Sequence, residues 1–252
     1  MNQKPRTRSS ATTSKPGTGT RTALRKKTNS LTKHLIPTLV RRRILTKLER
    51  LHPNADTELH FSDPYQLLVA TILSAQCTDK RVNQTTPSLF KQYPDAHTLA
   101  QATPTQLEPQ IKSTGFFRSK ARSLIAMASA LVEHHDGQVP DNREKLVKLT
   151  GVGRKTANVV LGHAFGIPAF PVDRHVQRVS NRIGLARSSN PSVTEEQLCQ
   201  LVRPTQWTQL SDTLILHGRR VCKPRPLCDH CPIQENCHFY NQLSAVTSEH
   251  VH

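Results

Sequence analysis

The chain has 252 residues, room for one large or two small domains with a proper core. No apolar run approaches the roughly 20 residues of a membrane span, so the sequence reads as soluble. The net charge is +17 and uneven: the first 48 residues hold 13 Lys and Arg and no Asp or Glu, and the rest carries 22 basic against 18 acidic residues. Such an arm is drawn to polyanions, nucleic acid first, although a merely solvated tail would look the same at its extreme end.

Residues 1–34 read as an unstructured basic arm. They are rich in Arg, Ser and Thr, as a transit peptide is, but lack its periodic apolar face and the apolar core of a secretory signal. The expected location is cytoplasmic and nucleoid-associated. Ile36, Val40, Ile44, Leu48 and Leu51 then recur at helical spacing around Arg41–Arg43. Asp63-Pro64-Tyr65-Gln66 supplies a cap, a first-turn proline and a capping glutamine. The following LLVATILSAQ is apolar nearly all round, as a central helix must be. Further helices are expected over Asp79–Lys91, after Asp95, from Thr103-Pro104 to about Lys112, along SKARSLIAMASALVEHH, and between Asp141 and Val147. After Pro168 and Pro171 break the chain, Asp173 can cap a helix to Asn181. Asn190-Pro191 starts another, and LSDTLILHGRR precedes a cysteine-rich tail. No strand of convincing length emerges, so the expected class is all-α.

Residues 149–161, LTGVGRKTANVVL, carry the chemistry. Gly151 and Gly153 can take positive φ and Val152 can pack inward. The turn and the helix start after it offer backbone N–H groups to a phosphate, as a helix-hairpin-helix does on DNA. A plain helix–helix corner is the other reading. Lys155 stands at that helix start. The helix dipole, Arg154 and partial burial would all favour a neutral amine, which is a nucleophile that can form a Schiff base. Simple phosphate binding by Lys155 and Arg154 is the alternative. Asp173, in PVDRHVQRVSNRIGL, would be held ionised by helix N–H groups and could offset positive charge at a sugar carbon, or serve as a cap alone.

Taken together, the hairpin, the Asp173 segment and LLVATILSAQCTDKRVN resemble the endonuclease III family of DNA glycosylase/AP lyases, over residues of about 36–240. The resemblance implies two helical domains: a six-helix barrel with the hairpin over 56–167, and a second domain from 35–55 and 168–240 holding an iron–sulfur cluster, with 241–252 a tail. By matching position, Lys155 is the Schiff-base nucleophile and Asp173 the essential carboxylate. Gln76 matches a residue that fills the gap left by a flipped nucleotide, or is an ordinary polar residue at a helix end. Two departures stand out. Arg174 replaces a frequent threonine and could touch phosphate. Phe116 takes the place of an aliphatic wedge, unless it is a core aromatic.

Residues 222–237 read CKPRPLCDHCPIQENC. Cys222, Cys228, Cys231 and Cys237 can hold a [4Fe–4S] cluster, although the first gap is one residue shorter than the family's familiar spacing. Zinc is the alternative, but only Cys228 and Cys231 form a close pair. Lys223 and Arg225, stiffened by prolines, could grip phosphate. Cys77 and Cys199 read as buried, inert thiols.

The function this implies is removal of oxidised pyrimidines from double-stranded DNA, followed by β-elimination at the abasic site, by a monomer with no membrane partner. Two rivals are weighed. A monofunctional adenine-specific mismatch glycosylase lacks a lysine at this hairpin position. A non-catalytic helix-hairpin-helix DNA-binding protein would not need the Lys155/Asp173 pair.

Overall fold

The computed structural model describes residues 36–249, so the basic arm expected over 1–34 lies outside the described residues. The described residues form twelve α-helices joined by turns and short 3-10 segments, with no strand among them. None of these helices is long and apolar enough to cross a membrane.

Local chemistry sets many of the helix starts. Asp63 accepts the Gln66 amide at 2.8 Å with Pro64 in the first turn, and so begins α2 (Pro64–Leu73) after α1 (Thr38–Leu51). Thr78 caps α3 (Asp79–Gln92), and an Asp95/Thr98 capping box opens α4 (Ala96–Ala100). The Thr103 amide donates to Gln106 at 3.0 Å at the start of α5 (Pro104–Ile111). The long α6 (Phe117–His135) follows.

Helix α2 is buried on nearly every side, as its composition requires: Tyr65 and Leu67–Leu73 are all buried. It packs against α3, α6 and α8 (Arg154–Ala164), while α4 and α5 lie on α6. These elements share one apolar cluster drawn from residues 59–169.

A second cluster joins Ile44 and Leu48 of α1 to residues between Phe170 and Cys237. It is built on α9 (Arg174–Ile183), α10 (Pro191–Cys199) and α11 (Trp207–Arg220). Helices α9 and α11 cross closely at Gly218, where a Cβ would lie 2.9 Å from His175 Cβ and 3.0 Å from Val179 Cγ2. The chain thus starts in the second cluster, builds the first, and returns.

Three boundaries differ from expectation. Helix α7 is Arg143–Leu146, capped by Asn142 rather than Asp141. Trp207 lengthens α11 because its indole N–H bonds to the Cys199 and Val202 carbonyls. Residues expected as a tail from 241 belong to α12 (His238–Glu249). That helix is anchored by Phe239 and Tyr240 on the second cluster, with the Arg182 guanidinium 4.8 Å above the Phe239 ring.

Candidate active site and cysteine centre

The hairpin between α7 and α8 turns on Gly151, at φ +82°, with no room for a side chain: a Cβ there would lie 3.0 Å from Ser123 Cβ. Val152 is 5% exposed and pins the turn to the first cluster. Gly153 departs from the expected left-handed shape. It is extended, at φ −89° and ψ 175°, and a Cβ there would meet nothing within 4 Å. No side chain caps α8, so the amides of its first turn are offered outward without a side-chain acceptor.

Lys155 is the second residue of α8. It is exposed rather than partly buried. Arg154 is not a free cation beside it: its Nε and Nη2 bind Glu195 at 2.7 and 2.9 Å, a bidentate pair that also draws Arg143 to 3.7 Å. Lys155 thus stands exposed at an uncapped helix start, beside an Arg154 whose guanidinium is engaged by Glu195.

Asp173 caps α9. Its Oδ1 accepts the His175 and Val176 amides at 2.7 and 2.8 Å, which leaves Oδ2 without a hydrogen bond among the described residues. The segment leading to it is pinned from both sides. Asn158 of α8 donates to the Phe170 carbonyl at 3.0 Å, and Ser211 of α11 donates to the Pro171 carbonyl at 2.6 Å. These bonds carry Asp173 to the mouth of α8.

Lys155 and Asp173 line one open cleft of ≈ 730 Å³, together with Gln76, Asp79, Arg174 and Arg219. That size suits a small organic group, for which sites run about 300–1,000 Å³. Arg219 bridges Asp79, at 2.7 Å, and Glu58. Burial pulls its pKa down, but Asp79, Glu58 and Asp173 outweigh that and raise it, so it is a fixed positive charge. His175, also in the cleft, is pushed below the ordinary histidine value, chiefly by burial, with Asp173 opposing and Arg178, Arg219 and Arg174 assisting. Asp79, Glu58, Arg219 and His175 were not singled out in the sequence. Their signal is weak, because their mutual contacts span up to 161 residues.

Gln76 lies beyond the end of α2 in the turn to α3, at φ +54°, exposed and facing the cleft. It stands outside α2, which stops at Leu73 with Ser74 as its C-cap. Phe116 is 71% exposed, at φ +49°, directly before α6. It is not a core aromatic: Phe117 takes that part and packs on the first cluster. Phe116 does not line the cleft.

Cys222, Cys228, Cys231 and Cys237 surround one apolar cavity, closed by Ile183, Leu227 and Phe239 among others. Arg182 Nη1 lies 3.7 Å from Cys222 Sγ, and His217 Nε2 lies 3.7 Å from Cys231 Sγ. Burial is the main cause that raises the thiol pKa of Cys228, Cys231 and Cys237, and neighbouring sulfurs add to it. The first loop is held by Arg182, which donates to the Lys223 and Pro224 carbonyls at 2.7 and 2.9 Å, and Lys223 and Arg225 are exposed. Cys77 and Cys199 are half-buried rather than buried, and Cys77 lines the cleft.

A third group was not foreseen. His163 lies between Asp56 and Asp212, its ring nitrogens 3.3 and 3.4 Å from their oxygens, and so joins α8 to α11.

The family model of the HhH-GPD superfamily base excision DNA repair proteins matches residues 69–204. Endonuclease III of Synechocystis sp. is 50% identical over 196 residues, 77% of this chain and 90% of that protein. The chain belongs to the endonuclease III family. Escherichia coli endonuclease III is 43% identical over 204 residues, 79% of this chain and 95% of that protein. Among solved structures, a trapped endonuclease III–DNA covalent intermediate is similar at TM-score 0.80 and 37% identity, over 83% of this chain and 100% of that one. A thermostable thymine-DNA glycosylase is similar at TM-score 0.74 and 25% identity, over 81% of this chain and 97% of that one. The all-helical fold is thus that of an endonuclease III.

Proposed function

We propose that the chain is a base excision repair enzyme, a DNA glycosylase and AP lyase that removes oxidised pyrimidines from duplex DNA and nicks the abasic site. The observation that carries this reading is the meeting of Lys155 and Asp173, from two separate helix starts, in one cleft beside Gln76.

In this reading the uncapped start of α8 and the extended Gly153 receive a phosphate of the damaged strand, and the space beside Gly153 is what lets the phosphate approach. The extruded nucleotide enters the cleft and Gln76 fills the gap it leaves. The Lys155 Nζ lone pair attacks the sugar C1′. The C1′–N bond breaks and its electrons leave with the base, which takes up a proton. Asp173 offsets the positive charge that builds on the sugar. Nζ gives up a proton, its lone pair forms the C1′=N bond as the C1′–O4′ bond breaks, and O4′ takes up a proton, which gives the protonated Schiff base. Removal of a C2′ proton then expels the 3′ phosphate. In the same reading Phe116 wedges and Arg174 grips the bent duplex, and Lys223 and Arg225 hold phosphate farther along.

The cysteine cavity fits a [4Fe–4S] cluster. Four cysteine sulfurs around one apolar cavity, Cys237 buried and the other three half-buried, with Arg182 Nη1 and His217 Nε2 each 3.7 Å from a sulfur, form a site that a bound metal centre would complete. Such a cluster would be held by Cys222, Cys228, Cys231 and Cys237 and would shape the Lys223–Arg225 loop. The fitting location is with the chromosomal DNA.

Borohydride trapping on a duplex with one oxidised pyrimidine tests the reading. Wild type should give a covalent protein–DNA band and a nicked strand, and Lys155→Gln neither. An intact abasic strand from wild type, with no band, would make the enzyme monofunctional and remove Lys155 from its role.

A further inference from the structure

Lys120 has no part in the mechanism above. It stands in the first turn of α6 with its side chain turned inward, 6% exposed. Its ammonium donates to the Leu73 carbonyl at 2.8 Å and to the Thr114 carbonyl at 2.8 Å. Burying a charge is costly, and here it has no carboxylate partner among the described residues, only two neutral oxygens.

Each of those two oxygens stands just upstream of an exposed side chain on a left-handed backbone. Leu73 ends α2, and Gln76 lies three residues on. Thr114 ends a 3-10 turn, and Phe116 lies two residues on. Among the described residues, Gln76 and Phe116 are two of only three non-glycine residues with positive φ, and the third, Asp136, is a helix C-cap. A side chain in that conformation persists only where its surroundings over-determine it. The same 3-10 turn is tied a second time, by Ser113 Oγ at 3.0 Å from Thr85 Oγ1 of α3, the helix that comes after the Gln76 turn.

We propose that Lys120 is a positioning residue that yokes the Gln76 turn to the Phe116 turn, so that both exposed side chains meet a duplex as one preset unit. This rests on the reading that the chain acts on duplex DNA. The yoke acts on opening of the helix and expulsion of the base, and leaves the steps at Lys155 alone.

The test uses the full chain in single-turnover reactions on two duplexes. In one the oxidised pyrimidine is paired. In the other it faces a reduced, uncleavable abasic analogue, so that little pairing has to be broken and the opposite strand offers no site for the lyase step. Lys120→Met keeps the aliphatic stem and removes the donors. It should lower the saturating rate on the paired duplex at least tenfold and on the unpaired one less than threefold. A 2-aminopurine set beside the lesion should report slower unstacking. In a Phe116→Ala background the added loss should fall below twofold, and Lys120→Arg should recover most of the rate. Equal losses on the two duplexes, or an undiminished loss in the Phe116→Ala background, overturn the proposal. Should Lys120→Met fail to fold, Ser113→Ala cuts the second tie to the same turn, and its loss must again be larger on the paired duplex. Nicking of an abasic duplex by wild type is scored separately. If that is missing, the reading of the activity fails, and the comparison between duplexes is not what failed.

Discussion

Asp173 supplies the hydrogen-bond acceptor that starts α9 and, in the proposed mechanism, the carboxylate that offsets charge at the sugar. Asparagine separates the two roles, because it caps helices as well as aspartate does. Asp173→Asn should keep stability within about 1 kcal/mol of wild type while lowering the trapping rate at least ~100-fold, about 2.7 kcal/mol of barrier. A thermal melt beside borohydride trapping checks both halves. His163 offers a pH test. Burial pushes its pKa down, but Asp212 and Asp56 outweigh that and raise it above 6.5. A raised folded pKa gives stability that is complete below the unfolded value and is lost as pH rises through the folded one. The buried Asp212 carboxyl, itself pushed up by burial, works in the same direction. The melting point of wild type over His163→Gln should therefore be highest near pH 6 and shrink by pH 8.5, by about 2–4 °C for each kcal/mol lost. That Lys155 and Asp173 would share a cleft, and Cys222, Cys228, Cys231 and Cys237 a cavity, was legible in the sequence because residue type and local spacing point to both groupings. The left-handed backbone at Gln76 and Phe116 was not, since neither side chain signals positive φ. The Arg154–Glu195 pair was not either, because 41 residues separate its partners.

Helix starts were the most legible elements. Asp63-Pro64, Thr103-Pro104 and Asn190-Pro191 each open a helix where the sequence placed one, because capping is decided within four residues. Helix ends and the hairpin's first helix were less so, since packing across the cluster decides them. The hairpin allows a sharp contrast between its two glycines. Gly151→Ala puts a Cβ at positive φ and 3.0 Å from Ser123, and should cost about 1–2 kcal/mol of stability. Gly153→Ala meets no protein atom within 4 Å and has ordinary φ, so the melt should move by less than about 1 kcal/mol. Its duplex affinity should nonetheless fall, with a shallower dependence on salt, if a phosphate occupies that space. Equal affinities for wild type and Gly153→Ala in a salt titration would place the phosphate elsewhere.

On the scale of the whole molecule, the cysteine segment is a lid on the second cluster: Ile233 and Cys237 lie in that core, and Arg178 and Arg182 of α9 hold the carbonyls of Cys222, Lys223 and Pro224. Cys231→Ser should leave α2 and its surrounding cluster folded while opening residues 222–240 to protease, with fewer than four irons retained. Limited proteolysis with mass spectrometry and iron analysis reads this, and an unchanged cleavage map would make the centre dispensable for the segment. The return of the chain to its first cluster partner has one more consequence, for synthesis. The ribosome delivers α1 early, yet Ile44 and Leu48 find their partners only once α9, α11 and the residues up to Cys237 have emerged. The α2-centred cluster can close while the nascent chain is still growing, but the other half joins Ile44 and Leu48 to residues as far on as Cys237 and must wait until those have emerged. A chain truncated before Cys222 would therefore carry a finished hairpin beside an unfinished second cluster.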